Sequence, residues 1–473
     1  MREGLIRAGL YRLNGMGDPA GAIPQASRQW RIATTPFYIS PSELSFFEEL
    51  GRKLLAFYQA VNQLYFDSVQ GREPSWVAAL LDQGKPLSLV EYGRMNRFKS
   101  LLPTVIRPDL IPTDEGIIAT ELDSVPGGIG LTAALLYAYI QEGAEVLSGD
   151  RMVNQVAKMF RHLSPKSHPV CAIVVSEESK DYRPEMEWLA VHLNKQGLST
   201  FVPKPSEIQF DSREGLYVDS GGAKVPLDIV YRFFELFDLQ NVPKSELILY
   251  AAKKKGIFLT PPFKPPLEEK SVYALFHHPV LKKFWLRHLG EKTFLTLRQL
   301  FPHTWMMDAQ SVPPHAVIPD LLLDGEPVTD FRQLGRATQK GRQYVIKPSG
   351  FSEMAWGSRG VKVGHDLSAT EWQTALEQAL HSPTPHILQK FHQGKKVSID
   401  YYDFERGCPV TMEGRVRLSP YYFVAGKEVG LGGVLATVCS LEKKLIHGMA
   451  DAVMAPVAVS EKSACSLKCL SLN

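Results

Sequence analysis

The chain has 473 residues, of which 44% are hydrophobic and 22% are charged. This composition is ordinary for a globular protein, and the length favours about three domains of roughly 150 residues. The net charge of +3 is too small to indicate binding to nucleic acid or to an anionic membrane. Because no window holds the run of about eighteen apolar residues that a membrane span needs, and the start lacks a secretory signal, we expect a cytoplasmic protein without a nucleic-acid or membrane partner.

The five cysteines are too few and too scattered to form a disulfide framework, which indicates a reducing compartment. Cys465 and Cys469 lie in the polar tail "SEKSACSLKCLSLN". This setting favours a frayed terminus over a redox or metal pair.

A long helix is predicted to begin near residue 41. Ser40 and Glu43 have the spacing of a capping box, and Pro41 occupies the first helical position. Apolar residues then recur at helical spacing, which indicates a core helix: Leu44, Phe47, Leu50, Leu54, Tyr58, Val61 and Tyr65.

The stretch "IRPDLIPTDEGIIATELDSVPGG" predicts a β-hairpin. A three-residue Asp-Glu-Gly loop, with glycine in the left-handed conformation, would pair Asp109 with Glu121 and Arg107 with Asp123. Since side chains alternate along a strand, all four would share one face. The residues expected on the opposite face, packed on a core, are Ile106, Leu110, Ile118 and Leu122.

Directly opposed carboxylates at Asp109 and Glu121 would have Cβ atoms about 5 Å apart and would repel each other. Magnesium would relieve this repulsion, because it takes one or two carboxylates together with phosphates and waters. Arg107 beside them could hold a phosphoryl or carboxylate group. A surface hairpin in which Arg107 merely neutralises Asp123 is an equally good interpretation of the hairpin alone.

A small α/β domain is predicted over residues 166–262. The apolar strand "PVCAIVVSE" is followed by the amphipathic helix "PEMEWLAVHLNKQG", which ends at Gly197, and by the strands "STFVPKP" and "VPLDIVYRFF". The proline-rich "TPPFKPP" predicts a linker. The other predicted units are an N-terminal helical region with the hairpin (1–165), a third domain (263–456) and a disordered tail (457–473).

The stretch "YVIKPSGFSEMAWGSRGVKVG" predicts a strand that ends in Lys347, a glycine-rich loop and a second strand. Glycines let backbone amides approach phosphate oxygens, and lysine supplies positive charge. A Walker A loop has the opposite order, with lysine closing the loop before a helix, so a P-loop is excluded. The pattern suits a flexible loop over a nucleotide, or a mobile hairpin with a salt-bridged lysine.

The segment "HILQKF" predicts another strand. At its edge, the backbone of Gln389, Lys390 and Phe391 could read adenine while apolar neighbours sandwich the ring. An ordinary sheet strand is the alternative.

Together these segments resemble glutathionylspermidine synthase and the related circularly permuted ATP-grasp ligases. That family has an R-x-D strand, a turn and an E-x-N strand, matched here by Arg107, Asp109, Glu121 and Asp123 before "SVPGG". The likeness continues in order through "LDIVYRFFEL", "HPVLKKFWLRHLG", "LFPHT", "VIKPSGFSEMAWGSRG", "HILQKF" and "PYYFVAGKEVGLGG". It implies an α/β protein with a circularly permuted ATP-grasp fold and a small Rossmann-like pre-ATP-grasp domain.

The resemblance also implies ATP and Mg²⁺ as cofactors and a role for each site residue. The implied catalytic residues are Arg107 and Lys347, and the implied magnesium ligands are Asp109, Glu121 and Asp123. The implied ATP contacts, including the lid over the phosphates, are Lys283, Lys347, Gly350, Ser352, Gly357, Ser358, Gly360, Gln389, Lys390 and Phe391.

The implied reaction joins a small-molecule carboxylate to an amine. The carboxylate attacks the γ-phosphate of ATP to give an acyl phosphate, and the amine then displaces phosphate. This chemistry needs charge neutralisation and positioning rather than a protein nucleophile. A nucleotide-binding protein without turnover and an ATP-dependent phosphotransferase are the alternatives.

The sequence departs from the family in ways that bear on function. Asp123 replaces asparagine, the loop carries an inserted Met-Ala-Trp, and Leu435 stands where the family has an arginine. Arg415 or Arg417 could substitute for that arginine. The amidase domain of some members is missing, so glutathione and spermidine are not assigned as substrates.

Overall fold

The computed structural model describes residues 30–461, apart from 148–149, 255, 311, 314–315, 404–405, 444 and 447–450. Cys465 and Cys469 lie outside these residues. The α-helices are α1 (Pro41–Val69), α2 (Ser75–Asp82), α3 (Leu87–Arg94), α4 (Ile129–Gln141), α5 (Arg151–Leu163), α6 (Arg183–Lys195), α7 (Ser245–Lys253), α8 (Ser271–His277), α9 (Lys282–Leu289), α10 (Glu291–Leu300) and α11 (Ala369–Leu380). Among the described residues, none of the helices has the length and apolar character needed to cross a bilayer.

The strands fall into several sheets. They are β1 (Trp30–Ile32), β2 (Phe37–Ile39), β3 (Val105–Thr113), β4 (Gly116–Asp123), β5 (Cys171–Val175), β6 (Thr200–Phe201), β7 (Gln209–Asp211), β8 (Gly215–Ser220), β9 (Ala223–Pro226), β10 (Ile229–Phe233), β11 (Phe258–Thr260), β12 (Thr304–Met306), β13 (Leu322–Leu323), β14 (Glu326–Pro327), β15 (Tyr344–Pro348), β16 (Lys362–Val363), β17 (His386–Lys390), β18 (Lys396–Asp403), β19 (Cys408–Ala425), β20 (Glu428–Ser440) and β21 (Ala452–Val459).

The largest sheet joins the two ends of the described chain. Its order is β1-β21-β20-β19-β3-β4, with β18 beside β19 and β2 beside β21. The predicted hairpin, β3–β4, therefore lies against a strand that follows it by some 300 residues in the chain, with Leu110 opposite Leu418. Helix α1 packs its apolar side on the core of this sheet and begins with the predicted capping box, in which the Glu43 amide donates to Ser40 Oγ at 3.2 Å.

The predicted α/β unit is present as a parallel sheet with the order β11-β10-β5-β6. Helix α6 connects β5 to β6 and is followed by Gly197, whose φ of 75° is the left-handed conformation expected after a helix. The proline-rich stretch predicted as a linker is buried rather than extended in solvent, and the carbonyls of Pro261 and Pro262 accept hydrogen bonds from the buried Arg232. The domain boundaries at 165, 262 and 456 stay predictions, and β21 continues past the last of them.

A third sheet is antiparallel, with the order β12-β17-β15-β16. Helix α11 packs beside it and shares its core, and a capping box joins Ser368 to Glu371 at its start. Strand β17 lies between β12 and β15 and is an interior strand of this sheet, while the reading of adenine by its backbone stays a prediction. The amide N–H groups of Lys390 and Phe391 are already bonded to the carbonyls of His303 and Gln343.

Candidate active site

A cavity of about 600 Å³ lies between the large sheet, the parallel sheet and the glycine-rich loop. Most of the sequence-predicted site residues line it, namely Arg107, Asp109, Glu121, Asp123, Lys347, Gly350, Gly357, Ser358, Gln389, Lys390 and Phe391. Lys283, Ser352 and Gly360 are not among its lining residues. Residues that are far apart in sequence therefore meet at one place.

The predicted register of the hairpin is confirmed at its charged end. Arg107 pairs with Asp123, and Asp109 pairs with Glu121. The loop, however, holds two residues rather than three, because Thr113 pairs with Gly116. Thr120 forms a bulge between the two halves of the ladder and restores the register that the shorter loop would have shifted.

Because of the bulge, one residue that was predicted on the apolar face, Ile118, lies on the other face of the hairpin. Beyond the bulge, Ile118 pairs with Ile111, which shares the face of Asp109. Ile117 and Ala119 pack in the main core instead. The placement of Ile118 on the core side was wrong, because one extra residue reverses the alternation of side chains that follow it.

Asp109 is the most enclosed of the three hairpin carboxylates. Its Oδ1 lies 3.1 Å from Arg107 Nε and accepts from Ser419 Oγ at 3.2 Å, while Oδ2 accepts from Arg417 Nη1 at 3.0 Å. Burial alone would raise the pKa of Asp109, but the charges of Arg107 and Arg417 lower it below its usual value. The group is therefore ionised, and both of its oxygens have partners.

Asp123 is less tightly held. Its Oδ2 lies 3.1 Å from Arg107 Nη2, and its Oδ1 accepts from the Val125 amide at 2.8 Å. Burial raises the pKa of Asp123 above its usual value, and the nearby Glu121 adds to the rise although Arg107 opposes it. A cation arriving at this carboxylate would relieve that repulsion.

Glu121 is paired with Lys270, a residue that sequence reasoning missed. The Nζ of Lys270 lies 2.7 Å from Glu121 Oε1 and donates to the Ala355 carbonyl in the glycine-rich loop at 2.9 Å. Burial disfavours charge on Lys270, but Glu121 raises its pKa above the usual value. Lys283, the predicted second phosphate lysine, is exposed on α9 and does not line the cavity. Nothing in the spacing of "PPLEEKSVYALF" marks Lys270, since its position depends on tertiary packing.

Lys347 is buried where β15 meets the hairpin. Its Nζ donates to Gln389 Oε1 at 2.8 Å and to the carbonyl of the bulged Thr120 at 3.2 Å. Burial, reinforced by the charge of Lys270, lowers the pKa of Lys347 to about 8, although Glu121 opposes the shift. Gln389 is itself buried and fixes the ammonium group, while its predicted contact with adenine stays a prediction.

Two of the predicted loop residues shape the loop instead of lining the cavity. Ser352 Oγ accepts from the Met354 amide at 3.2 Å and caps a short 3₁₀ turn. A Cβ at Gly360 would lie 2.7 Å from the Met354 carbonyl oxygen. The loop also reaches the parallel-sheet unit, since Arg359 Nη1 lies 3.1 Å from Glu178 Oε1.

The structure places Arg415 and Arg417 in the cavity together with Leu435. Leu435 pairs with Ser419, and the two arginines lie on the same face of β19 as this serine. Within the described residues, the Nε atoms of both arginines are buried without a hydrogen-bond partner. The departure at Leu435 therefore does not leave this wall without positive charge.

Three further glutamates line the cavity and carried no signal in the sequence: Glu185, Glu235 and Glu268. Glu185 accepts from the amides of Gly128 and Leu131, at 2.7 and 2.8 Å, and burial raises its pKa to about 7 although these amides oppose the shift. Burial, then Glu268 and Asp123, raise the pKa of Glu235 well above its usual value.

The described residues contain no group of three or more His, Cys, Asp and Glu side chains arranged to hold a metal ion. Glu121 and Asp123 nevertheless suit magnesium, because their side chains are 35% and 26% exposed and they face the cavity. Two carboxylates with phosphate oxygens and waters are a usual magnesium environment. Asp109 is less suitable as a metal ligand because its two carboxylate oxygens already contact two arginines and a serine.

A scan against protein-family models finds no match, and a search of curated proteins finds none either. Among solved structures, a glutathione synthetase-like effector from Globodera pallida in its apo form matches with a TM-score of 0.57 and 11% identity, over 97% of this chain and 96% of that chain. A protein assigned as a gamma-glutamylcysteine synthetase from Methylobacillus flagellatus matches at 12% identity over 76% of this chain and 80% of that chain, with a TM-score of 0.38, which is too low to indicate a shared fold. The chain therefore has a mixed α/β fold like that of the glutathione synthetase-like effector.

Proposed function

We propose that the protein is an ATP- and Mg²⁺-dependent ligase that joins a small-molecule carboxylate to an amine through an acyl phosphate. The observation that carries this proposal is the convergence of Lys347, Lys270 and Arg107 with Glu121 and Asp123 in one cavity. Lysine and arginine bind phosphate oxygens, and carboxylates bind the accompanying metal. The same set in this arrangement suits phosphoryl transfer.

The positively charged side chains would bind the phosphates, and the carboxylates would bind the metal. Lys347 and Lys270 would bind the phosphates, with the loop that contains Ala355 covering them. Arg107 and Arg417 would stabilise the charge of the transferred phosphoryl group, because Asp109 holds both guanidinium groups toward the cavity. Glu121 and Asp123 would hold Mg²⁺, which when bound neutralises phosphate charge.

We also propose that the fold is circularly permuted, as the sequence resemblance implies. The carboxylate-bearing hairpin β3–β4 precedes the sheet that carries Lys347 in the chain, yet it joins β19 in the large sheet. This order supports the proposal because an ATP-grasp chain ordinarily carries its metal-binding strand after the nucleotide loop.

The proposal predicts ADP release that requires Mg²⁺ and a carboxylate substrate. Incubation with ATP, hydroxylamine and a panel of amino acids and peptides should yield a hydroxamate, because hydroxylamine traps an acyl phosphate. Glu121→Gln should lower the rate by about a hundredfold or more, since it removes charge beside the metal and phosphates. An exposed control, Glu246→Gln on α7, should leave the rate unchanged.

Two outcomes would favour the alternatives. Nucleotide binding without ADP release from any substrate would support a binding protein without turnover, which the replacement of the family arginine by Leu435 favours. A stable phosphorylated product would support a phosphotransferase. Failure to bind MgATP at all would contradict the proposal directly.

A further inference from the structure

Outside the cavity, a buried ion pair joins the N-terminal helical region to the segment that carries Lys270. Lys85, between α2 and α3, places its Nζ 2.5 Å from Glu269 Oε1, and the two side chains are only 1% and 3% exposed. A buried pair of this kind costs desolvation energy and is poor evidence for stability by itself. Its neighbours in the structure indicate another role.

Glu269 also binds the segment that follows Lys347. Ser349 Oγ donates to Glu269 Oε2, and the Ser271 amide donates back to Ser349 Oγ at 2.9 Å. The Lys270 amide donates to the Ser349 carbonyl at 2.9 Å. The backbones that carry the two phosphate lysines are thus tied together by the Glu269 side chain and by the two amides that follow it.

The space around Glu269 is also closed. A Cβ added to Gly350 would lie 2.9 Å from the Glu269 carboxyl carbon, so only glycine fits there without displacing the carboxylate. The Ser349 amide is held by the Pro385 carbonyl at 2.8 Å. The start of the glycine-rich loop therefore packs directly on the ion pair.

The connection between these two backbones restrains the separation of Lys270 and Lys347. Lys270 and Lys347 both line the cavity, and the positive charge of Lys270 disfavours charge on Lys347. Repulsion between the two ammonium groups favours a wider separation. A rigid connection between their backbones keeps both near the position that phosphates would occupy.

We infer that Lys85 and Glu269 are positioning residues, which hold Lys270 and Lys347 at the separation needed to bind nucleotide phosphates. This inference rests on the proposed nucleotide site. Neither residue lines the cavity, so both act through Ser349 and through the backbone of Lys270.

The test compares binding of MgADP with binding of adenosine, measured by calorimetry on the full chain. Lys85→Met/Glu269→Gln removes the pair without leaving a buried charge unpaired, so it avoids the main reason for misfolding. MgADP should bind about tenfold more weakly to this variant, while adenosine, which has no phosphates, should bind as to the wild type. Lys85→Arg, which keeps the charge, should retain most of the MgADP affinity.

A control variant breaks another ion pair in the same helical region. Arg72→Met removes the contact with Asp67 near the end of α1 and should leave MgADP binding unchanged. Unchanged MgADP affinity in the Lys85→Met/Glu269→Gln variant, or an equal loss for MgADP and adenosine, would overturn the positioning role but not the proposed function. A wild-type protein that binds no MgADP would overturn the proposed function as well.

Discussion

At the scale of single residues, the site is a set of charges that satisfy one another. Asp109 and Asp123 share Arg107, and Glu121 is held by Lys270. These ion pairs keep groups of like charge close together. Lys347 differs from Arg107 and Lys270 because a carbonyl and an amide oxygen, rather than a carboxylate, accept its hydrogen bonds.

The environment of Lys347 predicts how nucleotide binding depends on pH. Burial lowers the pKa of its ammonium group to about 8, so the free protein loses this charge as the pH rises through 8. MgADP affinity should therefore be full near pH 7 and should fall by about tenfold for each pH unit well above 8. Calorimetric titrations from pH 6.5 to 9.5 would measure this.

Lys347→Met serves as the control for that titration. The variant should bind MgADP weakly at every pH and lose the dependence between pH 7 and 9. If its affinity fell with pH as steeply as that of the wild type, another group would be responsible.

At the scale of elements, the hairpin shows what the sequence could and could not predict. The assumed three-residue loop led to the pairing of Arg107 with Asp123 and Asp109 with Glu121, which is correct although the loop holds two residues. The bulge at Thr120 was not predictable, because a shorter loop and one extra strand residue leave the same pairing at the charged end. The bulge nevertheless has its own contact, since its carbonyl accepts from Lys347.

Deleting Thr120 would separate the pairing of the hairpin strands from the hydrogen bond that the Thr120 carbonyl accepts from Lys347. In the deletion variant, Glu121 follows Ala119 directly and still faces Asp109, so the register and the fold should persist. The carbonyl that accepts from Lys347 is lost or moved, and we expect MgADP affinity to fall by about tenfold, the size of a misplaced charged group. Circular dichroism would check that the fold persists, and calorimetry would measure the MgADP affinity.

The matched control is Thr120→Ala, which keeps the backbone carbonyl and removes the side-chain methyl group and the hydroxyl that donates to the Asp109 carbonyl. This variant should bind MgADP nearly as the wild type does. A deletion variant with unimpaired affinity would show that the bulge has no part in holding Lys347.

At the scale of the whole molecule, the α/β class and the strand–helix–strand unit followed from local patterns, but the meeting of distant parts did not. Hydrophobic period and glycine or proline positions determine local elements. Lys270, Glu268 and Glu185 reach the cavity only because three sheets pack around it. Their neighbours in sequence do not indicate this, and the resemblance implied Lys283 rather than Lys270.

The contact between the first turn of α4 and helix α6 predicts a stability effect. A Cβ at Gly130 would lie 2.0 Å from the Glu185 carbonyl oxygen. This oxygen belongs to the backbone of α6 and cannot move without distorting the helix. Gly130→Ala should therefore lower the free energy of unfolding by about 1–3 kcal/mol, as overpacking does. Urea denaturation would measure the change.

Gly256→Ala is a suitable comparison, because a Cβ there would meet only the Ala251 carbonyl oxygen, at 3.5 Å. Its free energy of unfolding should stay within about 0.5 kcal/mol of the wild type. Equal effects of the two substitutions would contradict the close packing of the turn on α6.

The segment of residues 268–271 has a consequence for how this chain could be cut or rearranged. Its consecutive side chains or amides hold, in turn, Arg232 of the parallel sheet, Lys85 of the helical region, Glu121 of the hairpin and Ser349 before the loop. Residues 268–271 thus contact four parts of the molecule within one short stretch. New chain ends should be tolerated at an exposed turn such as that between β8 and β9, whereas a break within 268–271 would disturb all four contacts at once.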